Sequence, residues 1–335
     1  MATSTFVMGS LINHPSYAYF SLSVRQVSYR ASPFLAPDMI IDGHTHVWRR
    51  KMLPGSLLRA YLEPLLALDG IAFDMKIDRE EDWPMSQVDT EWLLRSMDDA
   101  GVDRSVVLPL DFGMVEEPEV GVEAYNDWVF GSCKSLEGRL IPFIGVDPTR
   151  GTQAEELVRK YVKHCDAKGV KVYPPTGYFP YEEKVGRFWK LIEDDGLIVV
   201  THAGASWGPL DELYSHPKHF APVLERHPEM RLVIAHLGGK FRQETYELAK
   251  RFPNVYTDCS ALQGWLPSEP DVCKSRLQEA VSNMPGRVIF GSDWPLFDMA
   301  YPYTFWARFV REEKWASESV REQVLGGTMA KLLRT

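Results

Sequence analysis

The chain has 335 residues, 45% hydrophobic and 25% charged, an ordinary globular composition with enough length for a large core. Its formal net charge of −9 argues against a nucleic-acid surface. No apolar run approaches the roughly 18 residues that a membrane span needs, so no membrane partner is expected.

Residues 1–38 read differently from the rest. They hold no acid before Asp38, carry Arg25 and Arg30, and are rich in Ser and Tyr. An organelle transit peptide has this composition. The favoured alternative is an upstream start codon or an ordered extension, because Met39 directly precedes IIDGHTHVW; a secretory signal is poorly supported. The expected division is an N-terminal extension, 1–38, and a catalytic domain, 39–335. The cysteines Cys133, Cys165, Cys259 and Cys273 form no CxxC pair, which suits a reducing compartment, and the expected location is the cytoplasm.

From Met39 onward, amphipathic helical stretches alternate with short runs rich in Val, Ile and Leu. Eight such runs occur: MIIDGHTH, RSVVLPLD, RLIPFIGVD, GVKVYP, LIVVTH, RLVIAH, NVYTD and RVIFGSD. They end near His46, Asp111, Asp147, Tyr173, His202, His236, Asp258 and Asp293. Short, nearly all-apolar strands suit a parallel sheet covered on both faces. Glycines in SMDDAGVDRSVV, SLEGRLIPF and IEDDGLIVV mark helix ends. Eight βα units predict an α/β fold, the (β/α)8 TIM barrel. A doubly wound sheet gives no reason for eight units, and GxGxxG is missing. Two connections are long: Arg49–Gln87 after the first run, and Ser206–Phe220 after the fifth, with Trp207, His216 and His219. Both leave strand C-terminal ends, where barrel active sites are built.

His44 and His46 stand at positions i and i+2 of a strand, so both rings can face one point. His202, His236 and Asp293 end three further runs on the same rim. Imidazoles and a carboxylate converging on one point suit Zn2+ or a similar divalent ion. His14, His164, His216, His219 and His227 fall in tails, helices or loops and read as surface residues, His219 being the one that could fold over a pocket.

GHTHVW, GVKVYP, VVTHAG, LVIAHLGG and IFGSDWP, in this order, resemble the amidohydrolase superfamily, in particular its amidohydrolase-2 branch of metal-dependent hydrolases and nonoxidative decarboxylases. The resemblance implies one divalent ion, taken as Zn2+, held by His44, His46, His202 and Asp293, with His236 close by. In binuclear members a carbamylated lysine ends the fourth strand. Lys171 lies two residues before that end, and the branch resembles mononuclear enzymes, so Lys171 reads as a structural lysine or a carboxylate binder. The expected catalytic groups are Asp293, which accepts a proton from water and delivers it to the leaving group, and His236, which stabilises an oxyanion or orients the nucleophile.

Trp48, Arg49, Lys171, Tyr173, Trp207 and Trp294 are the expected substrate contacts. Rings leaving several strands suggest a flat, partly apolar small molecule, and Arg49, Arg50 or Arg242 could pair with its carboxylate. The expected reaction is hydrolysis of an ester, lactone or amide in a small cyclic or aromatic carboxylic substrate. Nonoxidative decarboxylation of an aromatic or unsaturated acid is the alternative; by the same resemblance, a Glu in place of the first His would favour it. A catalytically inactive barrel is disfavoured because no ligand position is lost. A homo-oligomer is expected.

Overall fold

The computed structural model describes residues 39–66, 85–136, 138–298 and 301–334. The extension 1–38 and the stretch 67–84 of the first long connection lie outside the described residues. The strands are β1 Ile41–Thr45, β2 Arg104–Val107, β3 Leu140–Pro142, β4 Ile144–Gly145, β5 Gly169–Val172, β6 Ile198–Thr201, β7 Arg231–Ile234, β8 Val255–Asp258 and β9 Val288–Ile289. Neighbours pair in parallel in the orders β1-β2-β3 and β4-β5-β6-β7-β8-β9.

Two seams close these sheets into one (β/α)8 barrel. The predicted third strand is split at Phe143, just after Pro142, which has no N–H to give a ladder; Phe143 N–H still donates to Val107 O at 2.9 Å. At the other seam the chain after β9 runs beside β1. Gly43 N–H donates to Phe290 O, Asp293 N–H to His44 O and His46 N–H to Trp294 O, each at 2.8 Å.

Alternate strand residues serve opposite layers. Ile41, Val106, Phe143, Ile198, Val200, Val233 and Ile289 pack together in the barrel interior with Met329 and Leu332 of the C-terminal helix Thr328–Arg334. Val107, Val170, Val172, Val199, Leu232, Ile234 and Val288 join the outer core beneath the surrounding helices. Since Val170 and Val172 face outward, Lys171 between them faces inward. A typical helix, Thr90–Ala100, is capped by the Asp89 side chain and stopped by Gly101, whose φ of 69° an L side chain adopts only with strain.

One irregularity decides where β1 aims its histidines. Ile41 packs inward, while Asp42 reaches the hydroxyl of Tyr303 among the outer core. Simple alternation would carry His44 outward with Asp42. The β1–β2 register shifts between Asp42 and Thr45, and this reverses the phase so that His44 enters the barrel.

The first long connection is not all loop. It contains a helix, Gly55–Leu66, and its base is pinned by reciprocal Trp48–Val88 backbone bonds of 2.8 Å. The second carries the short turns Glu212–Ser215 and Pro217–Phe220. Among the described residues no helix is long and apolar enough to cross a membrane.

Candidate metal centre

Three of the predicted groups converge at the barrel mouth. His44 Nε2 lies 3.5 Å, and His46 Nε2 3.1 Å, from Asp293 Oδ1. Ligand atoms of these three residues lie within 4.8 Å of one another, and all three residues are buried. The two imidazole rings meet edge to face, 5.0 Å between centroids. Each histidine has its far nitrogen engaged. His44 Nδ1 lies 2.8 Å from Asp258 Oδ2, and His46 Nδ1 donates to Leu108 O at 2.6 Å. In the neutral form, with Nδ1 protonated, each ring would turn an Nε2 lone pair toward Asp293 Oδ1, an arrangement that a cation between them would satisfy. This donor set, with an oxygen acceptor behind each imidazole, fits a divalent cation.

His44, His236 and Asp258 make a second group of the same compactness. There His44 Nδ1 approaches Asp258 Oδ2 at 2.8 Å, a hydrogen bond that makes Asp258 a partner behind His44.

His202 is not part of the 4.8 Å set. It follows β6, donates from Nε2 to Ala205 O at 2.9 Å, and stacks on Tyr173 with centroids 4.3 Å apart. Its Nδ1 is thereby left as the acceptor nitrogen. Burial, then the charge of Lys171, holds the His202 pKa down to about 3. The same two causes keep His44 well below the usual imidazole range. Both rings are therefore neutral at pH 7, the form a metal requires.

His236 and Asp293 stand beyond the strand ends, not on them. Both are left-handed, at φ 60° and 55°. Such residues cost stability and cluster at functional sites. His236 remains partly exposed while His44, His46 and His202 are buried. Its ring lies 5.0 Å from that of His44 and 5.1 Å from that of His202.

Lys171 is buried with Nζ 3.3 Å from His44 Nε2. Burial pushes its pKa down to about 8, against the pull of Asp258 and Asp293. Tyr173 backs His202 and meets Phe112 edge-on at 5.0 Å. The other expected substrate contacts sit elsewhere. Trp48 and Trp294 are each 1% exposed and belong to the core, Trp48 donating to Met85 O and Trp294 lying edge-on to Trp92. Arg49 covers the Trp128 ring at 5.0 Å, Arg242 pairs with Glu279 at 2.9 Å, and Trp207 is exposed on its loop. Of the histidines read as surface residues, His227 is buried against Glu193 at 2.9 Å.

Two carboxylates at the site were not singled out from the sequence. Asp258 was visible as one more acid at a run's end. Position alone does not select it, because Asp111 and Asp147 end runs too. Those two serve a separate brace, in which Arg150 grips Asp111 through two 2.8 Å bonds and Asp147 N–H donates to Asp111 Oδ2. Asp42 gave no signal. It accepts N–H groups from His44 at 2.8 Å and Ser292 at 3.2 Å, and so ties the segments that carry His44 and Asp293 together. Burial pushes its pKa up to about 7.

Comparison with known proteins shows what this arrangement is similar to. The amidohydrolase family model matches residues 41–335. Protein fluG of Emericella nidulans is 28% identical over 175 residues, 49% of this chain. The match spans only 19% of the length of fluG. A 5-carboxyvanillate decarboxylase from Novosphingobium aromaticivorans, solved with manganese, superposes with a TM-score of 0.64 at 15% identity, covering 89% of this chain and 96% of the other. A probable 2-pyrone-4,6-dicarboxylic acid hydrolase from Acinetobacter baumannii gives 0.57 at 15% identity, covering 88% and 99%. At such identities the two structures show the shared TIM-barrel fold.

Proposed function

The chain belongs to the amidohydrolase family, and from that premise we propose that it is a hydrolase using one Zn2+ ion to cleave an ester, lactone or amide in a small cyclic or aromatic carboxylic substrate. The observation that supports this most is the convergence of the His44 and His46 lone pairs on the carboxylate of Asp293. His202, through its free Nδ1, completes the proposed ligand set. A bound divalent ion would polarise a carbonyl and lower the pKa of water toward about 7.

The chain's own groups do the rest. Asp293 takes a proton from the attacking water as its oxygen bonds to the carbonyl carbon. It then hands that proton to the leaving oxygen or nitrogen as the old bond breaks. His236 is the histidine that substrate reaches most readily. Its Nδ1 lies 2.7 Å from Ser260 Oγ, whose own hydrogen goes to Asp258 Oδ1, so Nδ1 is the donor and Nε2 carries a lone pair. In that state His236 accepts a hydrogen bond and orients the nucleophile; the oxyanion role would require it to be protonated. Lys171 offers a positive charge to a substrate carboxylate, and Tyr173 backs the wall formed by His202.

His236→Asn should fold and keep its ion, yet lose about 10²–10⁴-fold in kcat, the range for a side chain that accepts a hydrogen bond from the nucleophile in the transition state. Metal content and kcat measured together check this; loss of the ion would make His236 a ligand.

Decarboxylation of an aromatic acid is the second reading, supported by the manganese-bound decarboxylase that shares the fold. The experiment is a screen of zinc- and manganese-loaded protein against lactones and aromatic carboxylic acids, following product mass and CO2. Turnover of a lactone or ester without CO2 supports hydrolysis.

A further inference from the structure

Asp258 is a buried acid that this mechanism leaves without a step, and it touches two of the histidines at once. Its Oδ2 meets His44 Nδ1 at 2.8 Å. Its Oδ1 accepts the backbone N–H of His236 at 3.0 Å, the backbone N–H of Ser260 at 3.1 Å, and the Ser260 hydroxyl. Ser260 Oγ lies 2.7 Å from His236 Nδ1. Counting hydrogens fixes both rings. A carboxylate oxygen only accepts, so His44 Nδ1 carries a hydrogen. A hydroxyl has one hydrogen to give, and Asp258 receives it, so His236 Nδ1 carries one too.

We propose that Asp258 is a shared positioning residue: it sets the tautomer and aim of His44 directly and of His236 through Ser260, so that both rings hold their Nε2 lone pairs available at the barrel mouth. The packing leaves this unit little slack. A Cβ on Gly291 would stand 3.1 Å from His44 Cβ, 3.2 Å from Ser260 Cβ and 3.4 Å from Asp258 Cβ. A side chain there would press on all three unless they gave way by a few tenths of an ångström. An amide at position 258 cannot serve both rings, because it offers one acceptor face and one donor face. Whichever way it turns, one of the two histidines meets a donor.

This inference concerns the same centre as the proposed function and rests on its metal assignment for one of two measurements. The first is zinc retention by the full-length protein against a chelator. Asp258→Asn should weaken retention by about 10–100-fold, the usual effect of losing a partner behind a metal ligand. Ser260→Ala should retain zinc like the wild type. The second is the imidazole ¹⁵N spectrum of the metal-free protein, which reports tautomers whether or not the centre binds an ion. The wild type should show Nδ1–H at both His44 and His236. Ser260→Ala should change the His236 pattern and leave Nδ1–H at His44, because Ser260 Oγ lies 2.7 Å from His236 Nδ1 but 3.3 Å from His44 Nδ1, which keeps Asp258 Oδ2 at 2.8 Å. A wild type with the opposite tautomers, or an Asp258→Asn protein with unchanged spectrum and zinc retention, overturns the proposal. If Asp258→Asn does not fold, an unaltered His236 in Ser260→Ala overturns it instead. Wild-type protein that takes up no zinc while showing the expected tautomers would refute the metal assignment and leave the positioning role intact.

Discussion

Asp293→Asn should reduce kcat by at least about 10²–10⁴-fold, the span for losing a group that moves a proton in the transition state. It should also weaken metal binding, since Asp293 Oδ1 stands 3.1 Å from His46 Nε2 and 3.5 Å from His44 Nε2. An amide there keeps one weak oxygen ligand and loses the base. The fold should survive, because the backbone bond from Asp293 N–H to His44 O does not involve the side chain. Circular dichroism, metal content and kcat on one preparation check this. A variant with normal turnover would remove Asp293 from the chemistry.

Stripping the ion should abolish activity, and adding Zn2+ should restore it. It should also lower the melting temperature. An ion that binds only the folded chain adds about 4 kcal/mol at a free concentration of about 1,000 times Kd. For chains of about 150–250 residues each kcal/mol moves Tm by about 2–4 °C, so the shift here should be several degrees. The buried set His44, His46 and Asp293 gives the physical reason, because two lone pairs and a carboxylate face one another in the barrel mouth without the cation. Thermal melts of chelated and zinc-loaded protein, beside activity, provide the check. Activity that persists without metal would rule out the assigned centre.

Much of this arrangement was legible in the sequence because a parallel barrel writes one run per strand. The eight apolar runs and the His-x-His pair gave the fold class and placed His44, His46, His202, His236 and Asp293 on one rim. The unread features depend on contacts between distant segments. Pro142 breaks the third run, but only pairing with β2 and β5 shows the split. The phase of β1 depends on a register shift that no periodicity reveals. His236 and Asp293 looked like strand ends, yet they turn into left-handed backbone just beyond them. Trp48 and Trp294 illustrate the opposite error. A ring leaving a strand end can line a pocket or fill the core, and at 1% exposure these two fill the core. What sets Asp258 apart from Asp111 and Asp147 is what lies opposite: His44 and Ser260 for Asp258, Arg150 for Asp111, and Thr149 and Thr176 for Asp147.

The most direct test of the proposed hydrolysis is turnover in ¹⁸O-labelled water with the product weighed. In the proposed hydrolysis the oxygen of water would bond to the carbonyl carbon, so one labelled oxygen should appear in the new carboxylate, and no CO2 should be released. A product lighter by CO2 and free of label would contradict hydrolysis and assign the same residues to decarboxylation.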